Sequence, residues 1–141
     1  MGRLVSEKLQ KAIQALYADL RWNKDRQIGF NKRTCGQPWP QTTKEANKIY
    51  VGLEQMLIRL MRPHWAAFRT LVDLLCEMAY DLPDWDRGFV LDIRRKLQEQ
   101  RFISPRMIKK VREVAHRRGV DCGFPPFREL NLPQSHRGHR E

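Results

Sequence analysis

The strongest constraint on the fold is the stretch from Ser104 to Gly119. It places a serine at an N-cap position, a proline at the first helical position and a glycine where the helix must stop. Between these signals, Met107, Ile108, Val111, Val114 and Ala115 fall within an arc of about 120° at 100° per residue, and Arg106, Lys109, Lys110 and Arg117 fall opposite them. One face calls for a core and the other is a cationic stripe. Upstream, Asp84 or Asp86 is placed to cap a second helix, in which Trp85, Phe89, Ile93 and Leu97 recur every four residues and are expected to stack along a buried face.

The rest of the chain repeats this helical period. Val5, Leu9, Ala12, Ile13, Leu16, Tyr17 and Leu20 mark an amphipathic helix within Leu4 to Trp22. Thr42 and Glu45 form a capping box that opens another, with Ala46, Ile49, Tyr50, Leu53, Met56, Leu57, Leu60 and Met61 on its buried face and Pro63 ending or kinking it. Trp65 to Tyr80 is apolar on nearly all sides except for Arg69, Asp73 and Glu77, so it belongs at the centre of a bundle, with Cys76 as a core thiol. The expected class is all-α: a compact bundle of about five helices, forming one domain over residues 1–134, with a Pro/Gly-rich C-terminal segment and a disordered tail over 135–141. In that segment Phe124 and Phe127 flank two prolines and are candidates to pin it to the bundle. The W-x3-F-x3-I-x3-L pattern followed by Ser-Pro and an amphipathic helix, about a quarter of the chain, resembles short helical hairpins of phage and bacterial replication-related or uncharacterised proteins, with Met107 where such hairpins often carry Gln, and points to no one family.

Charge points to the partner. The net charge is +11, and its distribution is uneven: eight Lys or Arg against three acids from Met1 to Thr43, nine against nine from Lys44 to Gln100, and ten against four from Arg101 to Glu141. The excess on the flanks favours an anionic partner, nucleic acid being the commonest, over charge that merely keeps the chain soluble. The stripe formed by Arg106, Lys109, Lys110 and Arg117, with Arg112 and Arg118 at its edges, covers about 18 Å of helix at 1.5 Å per residue, a length suited to several phosphates. The competing view is a solvated helix face, but only Glu113 interrupts the positive run.

From Asn23 to Gln41 the periodicity disappears, so a long basic loop is expected after the first helix. It carries Lys24, Arg26, Lys32 and Arg33, interleaved with Phe30 and Trp39. Cations would meet phosphates and rings would stack on bases; alternatively Trp39, held between Pro38 and Pro40, folds back as a hydrophobic plug. The connection before Ser104 lacks the short glycine turn of a helix-turn-helix, and the helix after it lacks the Asn or Gln that commonly read adenine. The expected function is therefore nucleic-acid binding, to DNA or structured RNA, mainly through phosphate, alone or as a small subunit of a nucleoprotein complex. The alternative is a phage or mobile-element accessory protein that binds or inhibits a protein partner with an acidic surface.

Other chemistry has weaker support. Cys35, Cys76 and Cys122 are odd in number and widely spaced, which argues for reduced thiols. Among Cys35, Cys122, His64, His116, His136 and His139 there is no C-x2-C, and the His136-x2-His139 pair lies in the expected disordered tail, so neither metal nor cofactor is implied. Asp81, Asp84 and Asp86 would suit Mg²⁺, yet acids in a first helical turn are better explained by the helix dipole. No catalytic motif marks an enzyme. Gly2 and Ser6 match a myristoylation pattern, but Ser6 serves equally as a helix cap. No apolar run approaches the roughly 20 residues of a membrane span, so a soluble, intracellular protein is expected, with no membrane partner.

Overall fold

The computed structural model describes residues 5–130. The all-α expectation holds: among these residues there is no strand, and six helices of 12 to 19 residues are joined by short turns. The expected tail over 135–141 lies outside the described residues. Contacts divide the chain into two compact units, with boundaries between Leu60 and Met61 and between Pro126 and Phe127.

The first unit holds α1 (Glu7–Leu20), α2 (Lys24–Cys35), α3 (Thr43–Met61, to Leu60) and the short α7 (Phe127–Leu130). Ser6 caps α1 by accepting from the Leu9 amide at 3.2 Å. The buried line Ile13, Leu16, Tyr17 and Leu20 follows the periodicity expected there, and α7 packs on α1 with Phe127 and Leu130 buried. The capping box of α3 is formed in full: Thr42 Oγ1 accepts from the Glu45 amide at 3.2 Å, and Glu45 Oε1 accepts from Thr42 and Gln41 amides at 3.1 and 2.8 Å. Ala46, Ile49, Leu53 and Leu57 are fully buried along that helix.

The long basic loop expected after the first helix is instead mostly helix. Asn23 caps α2 through a 2.9 Å bond from the Arg26 amide, Asp25 sits in the first turn, and Gly36 ends it at φ 75°, a left-handed position that favours glycine. The apolar period is absent because α2 buries a single residue fully, and that residue is Asn31. The helix is held by a few ring contacts. Phe30 packs edge-on to Trp22 at 5.3 Å, and a Cβ on Gly52 of α3 would lie 3.0 Å from the Phe30 ring, so the glycine admits that ring.

The second unit begins with a 3₁₀ turn at Arg62–His64 carrying Pro63, then α4 (Trp65–Glu77), a 3₁₀ turn at Ala79–Asp81, α5 (Asp84–Gln98) and α6 (Pro105–Arg117). α4 packs on both α5 and α6, burying Phe68, Leu71, Val72, Leu75 and Cys76, while Arg69, Asp73 and Glu77 stay exposed; Leu74, at 44% exposed, joins them, so the helix is open on a wider side than its composition suggests. Burial pushes the Cys76 thiol above its ordinary value, and its Sγ donates to the Val90 carbonyl at 3.4 Å. Ser104 caps α6 through the Met107 amide at 3.2 Å, and Gly119 takes φ 69° just beyond its end. The buried set of α6 is Pro105, Ile108, Val111, Val114 and Ala115.

On α5 the expected buried ladder is not the observed one. Asp86, Val90 and Ile93 are buried, whereas Trp85 is 61% exposed. At 100° per residue Asp86, Val90 and Ile93 fall within an arc of about 60°, and Trp85 lies about 80° to one side of it, so the buried face is turned away from Trp85. Nor do the aspartates cap it by side chain. Pro83 occupies the N-cap, Asp84 pairs with Arg87 at 3.2 Å, and Asp86 accepts two bonds from Arg117.

Candidate nucleic-acid interface

The expected basic residues fall on two faces, one in each unit. On α6, helical geometry puts Arg106, Lys110 and Arg117 within an arc of about 40°, and Arg106, Arg117 and Arg118 are exposed. Lys109 is half-buried beside them. Lys110 Nζ sits 5.7 Å from the centroid of the exposed Trp85 ring and 3.7 Å from Glu113 Oε2. Trp85 is stacked on Phe89 at 5.3 Å with their planes 9° apart. The result is one exposed ring, Trp85, backed by the half-buried Phe89, with a cation beside it. One turn upstream, Tyr80 is 92% exposed with the Arg87 guanidinium 6.0 Å from its centroid.

Two members of the stripe serve the fold of their own unit. Arg117 grips the buried Asp86 carboxylate at 3.0 and 2.9 Å. Arg112 donates to the Phe124 carbonyl and lies 5.1 Å over the Phe124 ring, which in turn meets Phe68 edge-on at 6.0 Å. Phe124 is buried and pins the segment after Gly119 to its unit, as expected, and Arg112 fastens the same segment through the Phe124 carbonyl. Arg112 lies at the margin of the buried arc and Arg117 at the last residue of α6, positions from which a long side chain reaches a neighbouring segment.

On α2, Lys24, Arg26, Lys32 and Arg33 are exposed. Because the segment is helical, they do not form one cationic strip. Arg26 and Arg33 lie within about 20° of each other while Lys24 is on the other side of the helix. Lys24 Nζ stands 5.0 Å over Trp39 and the Arg26 guanidinium 4.9 Å over Trp22. Trp39 is neither a buried plug nor free of the core. It is 38% exposed and forms one edge of a cavity of about 280 Å³ lined also by Gln10, Ile13, Gln14, Tyr17, Asn31 and Pro40. At its floor the Tyr17 hydroxyl donates to Asn31 Oδ1, and Asn31 Nδ2 donates to the Pro38 carbonyl at 2.9 Å. Burial raises the Tyr17 pKa, opposed by that bond, so the phenol stays neutral. A second cavity, of about 300 Å³, lies among Leu20, Trp22, Arg26, Met56, Arg59 and Leu60.

Trp85 and the Tyr17–Asn31 pair are the site features that sequence periodicity missed. A buried face centred on Asp86, Val90 and Ile93 excludes Trp85, but an aspartate gives no apolar signal; nor does anything in the sequence mark a hydrogen bond between residues on two different helices. Among the described residues no group of three His, Cys, Asp or Glu side chains is gathered as metal ligands, and no helix is long and apolar enough to cross a membrane. His136 and His139 lie outside the described residues. No protein-family model, curated protein or solved structure matches this chain.

Proposed function

We propose that this protein binds nucleic acid, contacting phosphate mainly and base sequence weakly. The observation that carries the reading is Lys110 poised over the exposed Trp85, which is stacked on Phe89 at the edge of the Arg106–Arg117 ridge. A cation beside an open ring offers a phosphate contact and a stacking platform within one nucleotide's reach. Exposed large rings are costly to maintain unless something covers them, and the flanking charge selects an anionic cover over an apolar one.

The decisive experiment is an electrophoretic shift with single-stranded and duplex DNA and RNA at two salt concentrations. Affinity should fall steeply with salt, each lost phosphate contact lowering the log–log slope by roughly 0.7 to 0.9. Charge reversal at Lys109 and Lys110 should weaken binding to all sequences alike, and Trp85→Ala should weaken single strands more than duplexes. Binding indifferent to salt would overturn the proposal.

A further inference from the structure

We infer that the cavity between α1 and Trp39 receives a single unpaired nucleobase, an inference that rests on the nucleic-acid reading above. Its volume of about 280 Å³ falls just below the roughly 300 Å³ at which small-ligand clefts begin, so it fits one ring system rather than an extended ligand. Its apolar lining comes from Ile13, Pro40 and the aromatic rings of Trp39 and Tyr17. Its polar groups are neutral. Gln10 and Gln14 stand one helical turn apart on α1, so both amides project from the same side of the helix. Gln10 already donates to the Val5 carbonyl at 3.3 Å, whereas Gln14 brings both a donor and an acceptor in one plane, matching the mixed edge of a base.

Charge and rigidity narrow the ligand further. None of the lining residues is ionic, which disfavours a cationic or carboxylate guest in the cavity itself, yet Lys24 stands 5.0 Å over Trp39 at its rim, where an attached phosphate would lie. The fully buried Asn31 ties the Tyr17 hydroxyl to the Pro38 carbonyl, fixing floor and rim to each other, so the space exists before any ligand arrives. A base with its 5′-phosphate is the chemistry that combines a flat ring, a hydrogen-bonding edge and one negative charge. It could come from a strand or from a free nucleotide.

The test compares binding of the full chain to a short oligonucleotide and to the same backbone with abasic sites, in the unaltered protein and in Trp39→Ala and Gln14→Leu. The intact strand should bind about tenfold more tightly than the abasic one, and Trp39→Ala should remove most of that ratio while leaving the salt slope in place. Gln14→Leu, at an exposed position, should shift the ranking among homopolymers. Competition by nucleoside monophosphates, abolished in Trp39→Ala, would identify free nucleotide as the source; competition by oligonucleotides alone would identify a strand. If Trp39→Ala leaves the ratio unchanged while salt-dependent binding persists, the cavity inference falls and the proposed function stands. If no oligonucleotide binds even at low salt, both fall.

Discussion

The two basic helices make an instructive pair. α2 and α6 have 12 and 13 residues, each is capped by a side chain at its N-terminus, and each carries at least four Lys or Arg. They differ in what they bury. α6 buries five residues and α2 one. A well-packed helix has neighbours along its buried margin and at its end, and cations there are drawn into the fold, as Arg112 at the margin is to Phe124 and Arg117 at the last residue is to Asp86. α2 has almost no buried arc, so Lys24 and Arg26 stay on the surface and rest on tryptophan rings. A count of positive residues therefore overstates the ligand-binding face of a well-packed helix and is a fairer guide on a poorly packed one.

The sharpest way to break this contrast is Arg112→Ala. Losing a charge-assisted bond to a main-chain carbonyl and a cation–π contact should destabilise the second unit by about 2 kcal/mol. Arg33→Ala on α2, with no such partner among the described residues, should stay within about 0.5 kcal/mol. Urea unfolding followed by circular dichroism reads both, and equal losses would refute the distinction. Next in size is Arg117→Ala. Asp86 retains 9% of its side-chain exposure and Arg117 retains 55%, so the pair is half screened and its loss should cost about 1 to 2 kcal/mol rather than the full value of a buried pair. A double-mutant cycle with Asp86→Asn should return a coupling above about 0.5 kcal/mol. Additive effects would mean that Arg117 remains available to a ligand.

The same contrast explains which parts of the structure the sequence discloses. Where a helix is stabilised by burial, its period and caps are written together: the Thr42–Glu45 box, the Ser104–Pro105 start, and the line Ile13, Leu16, Tyr17, Leu20 all recur in the structure as read. α2 is stabilised by caps and by tertiary ring contacts through Trp22, Phe30 and Gly52, so period alone misses it, although Asn23, Asp25 and Gly36 spelled out its ends. The division into two units was also hidden, since Pro63 reads simply as a helix terminator. Of the candidate site, the cations were legible and their duties were not, because recruitment of Arg112 and Arg117 depends on which segment lies across from each.

The smallest expected effect tests the cause most directly. Asn23→Ala and Ser104→Ala each remove one capping acceptor and should each cost about 1 kcal/mol. The distribution of that loss should differ. With only Asn31 fully buried along α2, little beyond the cap and a few ring contacts opposes fraying, so Asn23→Ala should speed amide exchange through the whole first half of the helix by roughly fivefold, as expected for about 1 kcal/mol of local opening. α6 is anchored by Pro105 and Ile108 immediately after its cap, so Ser104→Ala should loosen only the amides of the first turn, leaving those beyond Val111 protected. Gly36→Ala offers the matching probe at the other end of α2: at φ 75° a side chain is strained even though nothing lies within 4 Å of the added carbon, so any loss must come from the backbone alone. If both cap variants frayed their helices alike, burial would not be what separates α2 from α6, and the fate of their arginines would need another cause.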